Sequence, residues 1–251
     1  MIIQPKNPVS LKNLLTLLKS VNETFTIATT DAEAVFYTID PAKAVLVYAT
    51  LPKAAMLDYE PEKQLIGFSA KDLLKALNNA KPDSIVRIET TSDGTGIITL
   101  NKPFKAKYSV REIAEVEKPV EVGELPVEAY IESYGALFIE LIKTAKTLTS
   151  EITLYGYTDK AIIKGENLSS QFEITLDNEH DWVKDVGLYE GANEPVKGIY
   201  GMAFLNIIAR GLTRSHEVTW EWGSYCPLHI SYTDPDGFEV NVYVAPRVED
   251  E

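Results

Sequence analysis

The sequence predicts an α+β protein in which one helix-plus-sheet architecture is used twice. Stretches of helical period alternate with runs of strand character in the first half, and the same order returns roughly 120 residues later. A Glu-rich segment parts the two halves. The composition allows this, since 251 residues with 45% hydrophobic and 24% charged side chains can bury a sizeable core as two domains.

In chain order, Leu11, Leu14, Leu15 and Leu18 share one face and predict a helix over residues 10–21. Runs rich in β-branched and aromatic residues follow at 24–30, 35–39 and 44–51, parted by Asp31-Ala32 and Asp40-Pro41. A short strand at 65–68 leads into a second helix over 69–80, with Ser69 as N-cap, Asp72 in the first turn and Pro82 beyond the end. Strands at 84–90, 96–101 and 105–113 close the half, the first two joined through Ser92-Asp93-Gly94. Residues 115–128 hold five Glu, two Pro and one Gly and read as a linker between domains 1–114 and 129–251. Beyond it come a strand at 129–133, a helix at 134–149, strands at 151–157, 161–166, 171–177 and 197–200, a helix at 201–215, and strands at 217–222, 228–233 and 238–245.

Charge is unevenly spread. The net charge is −13, which argues against a simple basic nucleic-acid module. Taken as residues 10–21, 70–82, 134–149 and 201–215, however, the four helix patterns carry nine basic residues: Lys12, Lys19, Lys71, Lys75, Lys81, Lys143, Lys146, Arg210 and Arg214. Only Asp72 and Glu140 oppose them. A solvated helix face normally mixes both signs, so four helices short of acid in an acidic chain suggest a basic surface. Such a surface would hold phosphates weakly, salt-sensitively and without reading sequence.

Catalytic and metal signals are weak. His180, His216 and His229 stand at no ligand or triad spacing and read as surface or strand-packing residues. Asp234-Pro235-Asp236-Gly237 lacks the further ligands of a calcium loop and reads as a hairpin turn. No Gly-rich phosphate loop is present, and Cys226 has no histidine placed by sequence to activate it. A single cysteine cannot close an intrachain disulfide, so the fold needs no oxidising compartment. The N-terminal segment, with interleaved Lys and Pro, has no cleavable apolar core, and no run approaches membrane-span length; the expectation is a protein neither secreted nor membrane-spanning. Trp182, Trp220 and Trp222 read as packing residues, the last two on one side of one strand.

Several short stretches carry a resemblance. They are Pro227-Leu228, Phe238 to Tyr243, and Ala245-Pro246-Arg247-Val248-Glu249 with its acidic tail, together with Glu194-Pro195-Val196, Ile39-Asp40-Pro41 and the run Val45-Leu46-Val47. In order and spacing, over residues 9–249, the chain resembles the archaeal and eukaryotic DNA sliding clamps, the proliferating cell nuclear antigen family. The resemblance implies a ring of three subunits, helices lining a central hole and sheets outside, with the nine basic residues facing threaded duplex DNA. It implies no enzymatic activity and no cofactor or metal. It also implies partners, namely a DNA polymerase, a clamp loader, and flap nuclease and ligase type proteins, captured through short peptides. Carried over position by position, their pocket would comprise Ile39, Lys43, Leu46, Val122, Leu125, Pro126, Pro227, Tyr243, Ala245 and Pro246. Ring closure would join Lys107, Tyr108 and Val110 of one subunit to Gln171, Glu173 and Thr175 of the next. The ring could be a homotrimer, or a heterotrimer of the replicative or checkpoint kind. The implied location is cytoplasmic and nucleoid-associated in an archaeon, nuclear in a eukaryote. Two departures stand out: Asp31-Ala32 replaces the family's Asp-Gly turn, and Lys43 is long and charged for a peptide pocket. An unrelated alternative is a small-molecule enzyme on a duplicated α+β scaffold, motivated by the histidines and the acidic surface.

Overall fold

The computed structural model describes residues 1–62 and 65–247, so Val248, Glu249 and the acidic tail lie outside the described residues. The chain divides into two compact units. The first comprises residues 1–42, 46–121 and 233–240, and the second residues 43–45, 122–232 and 241 onward.

Unit 1 runs β1 (Ile2–Pro5), α1 (Pro8–Val21), β2 (Thr24–Thr29), β3 (Glu33–Ile39), β4 (Val45–Pro52), β5 (Met56–Glu60), β6 (Leu65–Ser69), α2 (Ala70–Ala76), β7 (Val86–Thr90), β8 (Thr95–Leu100) and β9 (Ala106–Arg111). Its strands form two antiparallel arrays, in the orders β5-β1-β7-β8-β9 and β4-β3-β2-β6. Unit 2 runs β10 (Ala129–Tyr134), α3 (Gly135–Ala145), β11 (Glu151–Gly156), β12 (Lys160–Glu166), β13 (Gln171–Asp177), β14 (Val183–Leu188), β15 (Val196–Gly201), α4 (Met202–Ile208), β16 (Glu217–Trp222), β17 (Leu228–Thr233) and β18 (Glu239–Val244). Its orders are β14-β10-β16-β17-β18 and β13-β12-β11-β15. Each strand of unit 1 thus has its counterpart nine strands later in the same place, so the duplication extends from element order to sheet topology.

The helices begin where the local chemistry directs. The Asn7 side chain accepts from the Val9 amide at 2.9 Å and Pro8 occupies the first turn of α1. Ser69 caps α2, its Oγ accepting from the Asp72 amide at 3.2 Å, as the sequence indicates. Helix α3 has no capping side chain; its first amides bond instead to the carbonyls of His216 at 2.8 Å and Arg214 at 3.1 Å. Gly135 is required there, because a Cβ would stand 2.2 Å from the Thr213 carbonyl oxygen.

Three helices are shorter than their sequence pattern. α2 ends at Ala76 and α4 at Ile208. Beyond each end the hydrogen bonds tighten to i→i−3: Asn78 to Lys75, Ala80 to Leu77, Arg210 to Ile207 and Gly211 to Ile208. Asn78-Asn79 before Pro82, and Gly211 after a run of Ile, favour a turn over another helical repeat. Similarly, α3 ends at Ala145 rather than 149. Three strands also escape the pattern: β1, to which the sequence pattern assigned no range, and β5 and β14, whose sequences MLDYE and VKDVGL break the alternation with charge or glycine. For β5 and β14, pairing with β1 and β10 supplies what their propensity does not.

Burial on the helix faces holds each unit. Leu11, Leu14, Leu15, Leu17 and Leu18 of α1 are all buried, each contributing about 1.5–3 kcal/mol by transfer from water. Unit 1 is filled by Phe25, Phe36, Phe68 and Phe238, with Phe36 and Phe238 edge-on at 5.8 Å. In unit 2, Phe138 of α3 meets Trp220 of β16 at 4.8 Å, edge to face. Trp220 and Trp222 are both buried on the same side of β16, as period two requires.

The turns at Asp31-Ala32 and at 234–237 also resolve. The first closes without a left-handed residue, because the Thr30 hydroxyl accepts from the amides of Ala32 and Glu33, both at 3.2 Å. The second is a hairpin turn in which the Phe238 carbonyl accepts from the Asp234 amide at 2.8 Å and Gly237 takes a φ of +92°.

Candidate nucleic-acid interface and partner site

Only five of the nine basic residues lie within helices. Lys12 and Lys19 are on α1, Lys71 and Lys75 on α2, and Lys143 on α3. Lys146 is the residue capping the end of α3, Lys81 lies in the turn after α2, and Arg210 and Arg214 lie in the turn and loop after α4. Helix α4, MAFLNII, carries no charge at all. The sequence reading that placed all nine within four helices is therefore corrected: the cap, turns and loop that follow α2, α3 and α4 hold four of the nine charges.

The structure also shows which charges are already spent. Lys75 pairs with Asp72 at 2.8 Å, and that contact holds the Asp72 carboxyl below its ordinary pKa. Glu140 is shared by Arg214 at 2.6 Å and Lys143 at 3.7 Å, and its pKa falls chiefly through the Arg214 hydrogen bond. The Arg214 guanidinium also lies 5.6 Å from the Trp182 ring. Among the described residues, Lys12, Lys19, Lys71, Lys81, Lys146 and Arg210 have no ion-pair partner within their unit. Within unit 1, α1 packs against α2; within unit 2, α3 packs against α4.

The two edge strands emerge as expected from their place in each sheet. β9 ends the five-stranded array of unit 1 and is bonded only to β8, with Lys107 paired to Thr99 and Tyr108 to Ile98. β13 ends its array in unit 2 and is bonded only to β12, with Glu173 paired to Lys164 and Gln171 to Glu166. Lys107, Ser109 and Arg111 are exposed along β9, as are Gln171, Glu173 and Thr175 along β13, whereas Val110 is buried. Each strand thus offers a free row of backbone donors and acceptors.

The residues assigned to peptide capture are divided between the units. Ile39 and Leu46 belong to unit 1, half-buried on β3 and β4. Lys43, Val122, Leu125, Pro126, Pro227, Tyr243, Ala245 and Pro246 belong to unit 2. Lys43 adopts a φ of 57°, exposed in a left-handed turn. The Ala245 amide donates to the Ala44 carbonyl at 2.8 Å, and the Arg247 amide to Ile199 at 2.8 Å. At the linker's two ends, the Thr26 hydroxyl donates to the Glu117 carbonyl at 2.8 Å and the Glu128 amide to Trp222 at 2.8 Å.

The histidines are packed. His216 is buried and stacked on Tyr232 at 4.7 Å, and the ring of His180 accepts from the Trp182 amide at 3.1 Å. His229 is bonded at both nitrogens, to Glu221 and to Asn241, and its ring lies over Tyr243. That cluster was missed from sequence, although one signal was present: Glu221, His229 and Asn241 stand at alternate, outward positions of three successive strand patterns. Cys226 is buried, and burial raises its thiol pKa. No helix among the described residues is long and apolar enough to cross a membrane.

No family model matches the chain. In sequence it is 26% identical over 213 residues to a protein of Pyrococcus furiosus named DNA polymerase sliding clamp, covering 84% of each. In structure it superposes on PCNA from Thermococcus kodakaraensis with a TM-score of 0.90 at 23% identity, covering 98% of this chain and 99% of that one. It superposes equally widely, at a TM-score of 0.87 and 14% identity over 100% of this chain and 99% of the other, on A. fulgidus PCNA bound to the C-terminal region of FEN-1. The chain has the PCNA fold from end to end of its described residues, and along most of its length its sequence is similar to archaeal DNA polymerase sliding clamps.

Proposed function

We propose that the protein is a DNA sliding clamp, a ring that encircles duplex DNA and tethers polymerases and other replication and repair enzymes. The observation that carries this reading is the sequence likeness to a DNA polymerase sliding clamp over 84% of both chains, joined to the PCNA fold. The unpaired basic side chains on the helices and in the turns that follow them support it. Lys12, Lys19, Lys71, Lys81, Lys146 and Arg210 would neutralise phosphates without ordering on bases, leaving the ring free to move. Topological linkage then replaces tight binding, and the tether raises the effective concentration of polymerase at the primer end. No substrate is turned over, and in an archaeal cell the protein works at the nucleoid. Domains 1–114 and 129–251, joined by 115–128, are the assigned ring segments, and the ten residues from Ile39 to Pro246 named above are the assigned partner-peptide pocket.

The ring is assigned to three copies of this chain. Lys107 and Arg111 on the free edge of β9, with Lys105 before it, are basic; Glu173 on the free edge of β13, with Glu166 at the end of β12, is acidic. Opposite charges on two edges of one chain attract identical copies head to tail and close a cyclic ring. Glu173 is meanwhile held by Lys164 at 2.8 Å, both half exposed, a contact weak enough to be exchanged.

The deciding experiment is retention on circular DNA. Loaded with its clamp loader, the protein should stay on a nicked circle in high salt and leave when one cut linearises it. Equal retention on circle and line would remove the clamp reading.

A further inference from the structure

Unit 2 holds a polar cluster that encircling DNA does not require. Glu221 of β16, His229 of β17 and Asn241 of β18 lie on neighbouring strands, and Glu221 and His229 face each other directly in the antiparallel register. His229 Nδ1 is 2.8 Å from Glu221 Oε2, and Nε2 is 2.9 Å from Asn241 Oδ1. The other carboxylate oxygen accepts from the Tyr189 hydroxyl at 2.5 Å. The hydrogen bond from His229, more than that from Tyr189, holds the Glu221 carboxyl below its ordinary pKa against the opposing effect of burial. An ionised carboxylate only accepts, so Nδ1 carries a proton and donates it. Asn241 can meet Nε2 with either end of its amide, so the brace survives in both charge states of the ring.

The consequence of this brace falls on Tyr243. The His229 and Tyr243 rings are stacked with centroids 4.6 Å apart and planes 7° from parallel. Both in-plane nitrogens of His229 are tied down, so the imidazole cannot rotate about its own axis, and its face is a fixed platform for the phenol ring. A side chain that only filled space would need neither bond.

We infer that His229 is a positioning residue for partner capture. It sets the plane of the Tyr243 ring, whose opposite face then receives an aromatic or aliphatic anchor of a partner peptide. The inference rests on the proposed membership of Tyr243 in the peptide pocket. Neither Glu221, His229 nor Asn241 belongs to the ten residues assigned to that pocket.

The test uses the full chain and a fluorescently labelled peptide of the FEN-1 C-terminal region, with affinity read by anisotropy and folding by thermal unfolding. Tyr243→Ala should abolish most binding. His229→Ala should weaken it roughly two- to tenfold, the range expected for loss of one aromatic stack. His229→Phe, which keeps the ring face but loses both nitrogen bonds, should recover affinity only in part, whereas His229→Leu, which keeps volume alone, should recover none. Asn241→Ala, which frees one edge of the ring without removing it, should weaken binding by a smaller factor and serves if His229→Ala fails to fold. Wild-type affinity in His229→Ala alongside a clear loss in Tyr243→Ala would overturn the inference and leave the pocket standing. Recovery by Leu equal to that by Phe would overturn it too. Wild-type affinity in Tyr243→Ala would overturn both the pocket and the inference.

Discussion

Arg214, on the loop after α4, donates to Glu140 of α3 at 2.6 Å, so the one acid on α3 occupies the arginine proposed to face DNA. Glu140 also draws Lys143 to 3.7 Å. Under the proposed clamp reading this carboxylate would compete with phosphate for both cations. Glu140→Gln should free both cations and tighten the protein's hold on a duplex at low salt, with a steeper salt dependence. Anisotropy titrations at several salt concentrations against a short linear duplex check this; an unchanged slope would place Glu140 away from the DNA path.

The division into paired and unpaired cations makes a second prediction. Reversing the unpaired Lys71, Lys146 and Arg210 to Glu should impair polymerase stimulation more than reversing Lys75, Lys143 and Arg214. In the latter set, each wild-type charge is already partly answered by Asp72 or Glu140. The measurement is primer extension on a long template, with far-UV circular dichroism as the control for folding. Equal loss in the two sets would mean that the ion pairs open freely when DNA enters.

Ring closure by opposite edges is tested by charge exchange. Arg111→Glu or Glu173→Arg alone should shift the mass by light scattering from three times 27.9 kDa towards 27.9 kDa. Combining the two should restore the trimer. Raising salt should have the same direction of effect as either single change. A wild-type mass of 27.9 kDa at low salt would instead point to a mixed ring with other subunits.

Glu221 supplies a pH prediction. Its pKa is lowered in the folded protein, so its contribution to stability is present above the ordinary carboxyl value of 4.5 and is lost as pH falls below it, through the folded value. Glu221→Gln should therefore lower stability near neutrality and flatten the acid limb of the curve. Denaturant unfolding at a series of pH values reads both effects. Parallel curves for wild type and variant would show that the His229 bond does not survive in solution.

Much of the fold was legible because its causes are local. Ser69 as a cap, the Leu face of α1, the glycine turns and the inward pair Trp220 and Trp222 each depend on residues a few positions apart. The strands β5 and β14 were not legible, since MLDYE and VKDVGL become strands by pairing with β1 and β10 and have little strand character of their own. The ends of α2 and α4 were overrun for a related reason: apolar period continues past Ala76 and Ile208 while the backbone has already turned.

The sequence by itself determined the class of fold, its duplication, the concentration of positive charge around four helices and the resemblance to sliding clamps, all of which are written in period, order and composition. Tertiary structure alone decided how those charges stand. It brought Glu140 to Arg214 across 74 residues, left β9 and β13 at sheet edges, and set His229 between Glu221 and Asn241 beneath Tyr243. These are non-local relations, fixed by which strands pair and in what register, and no spacing within a single segment encodes them.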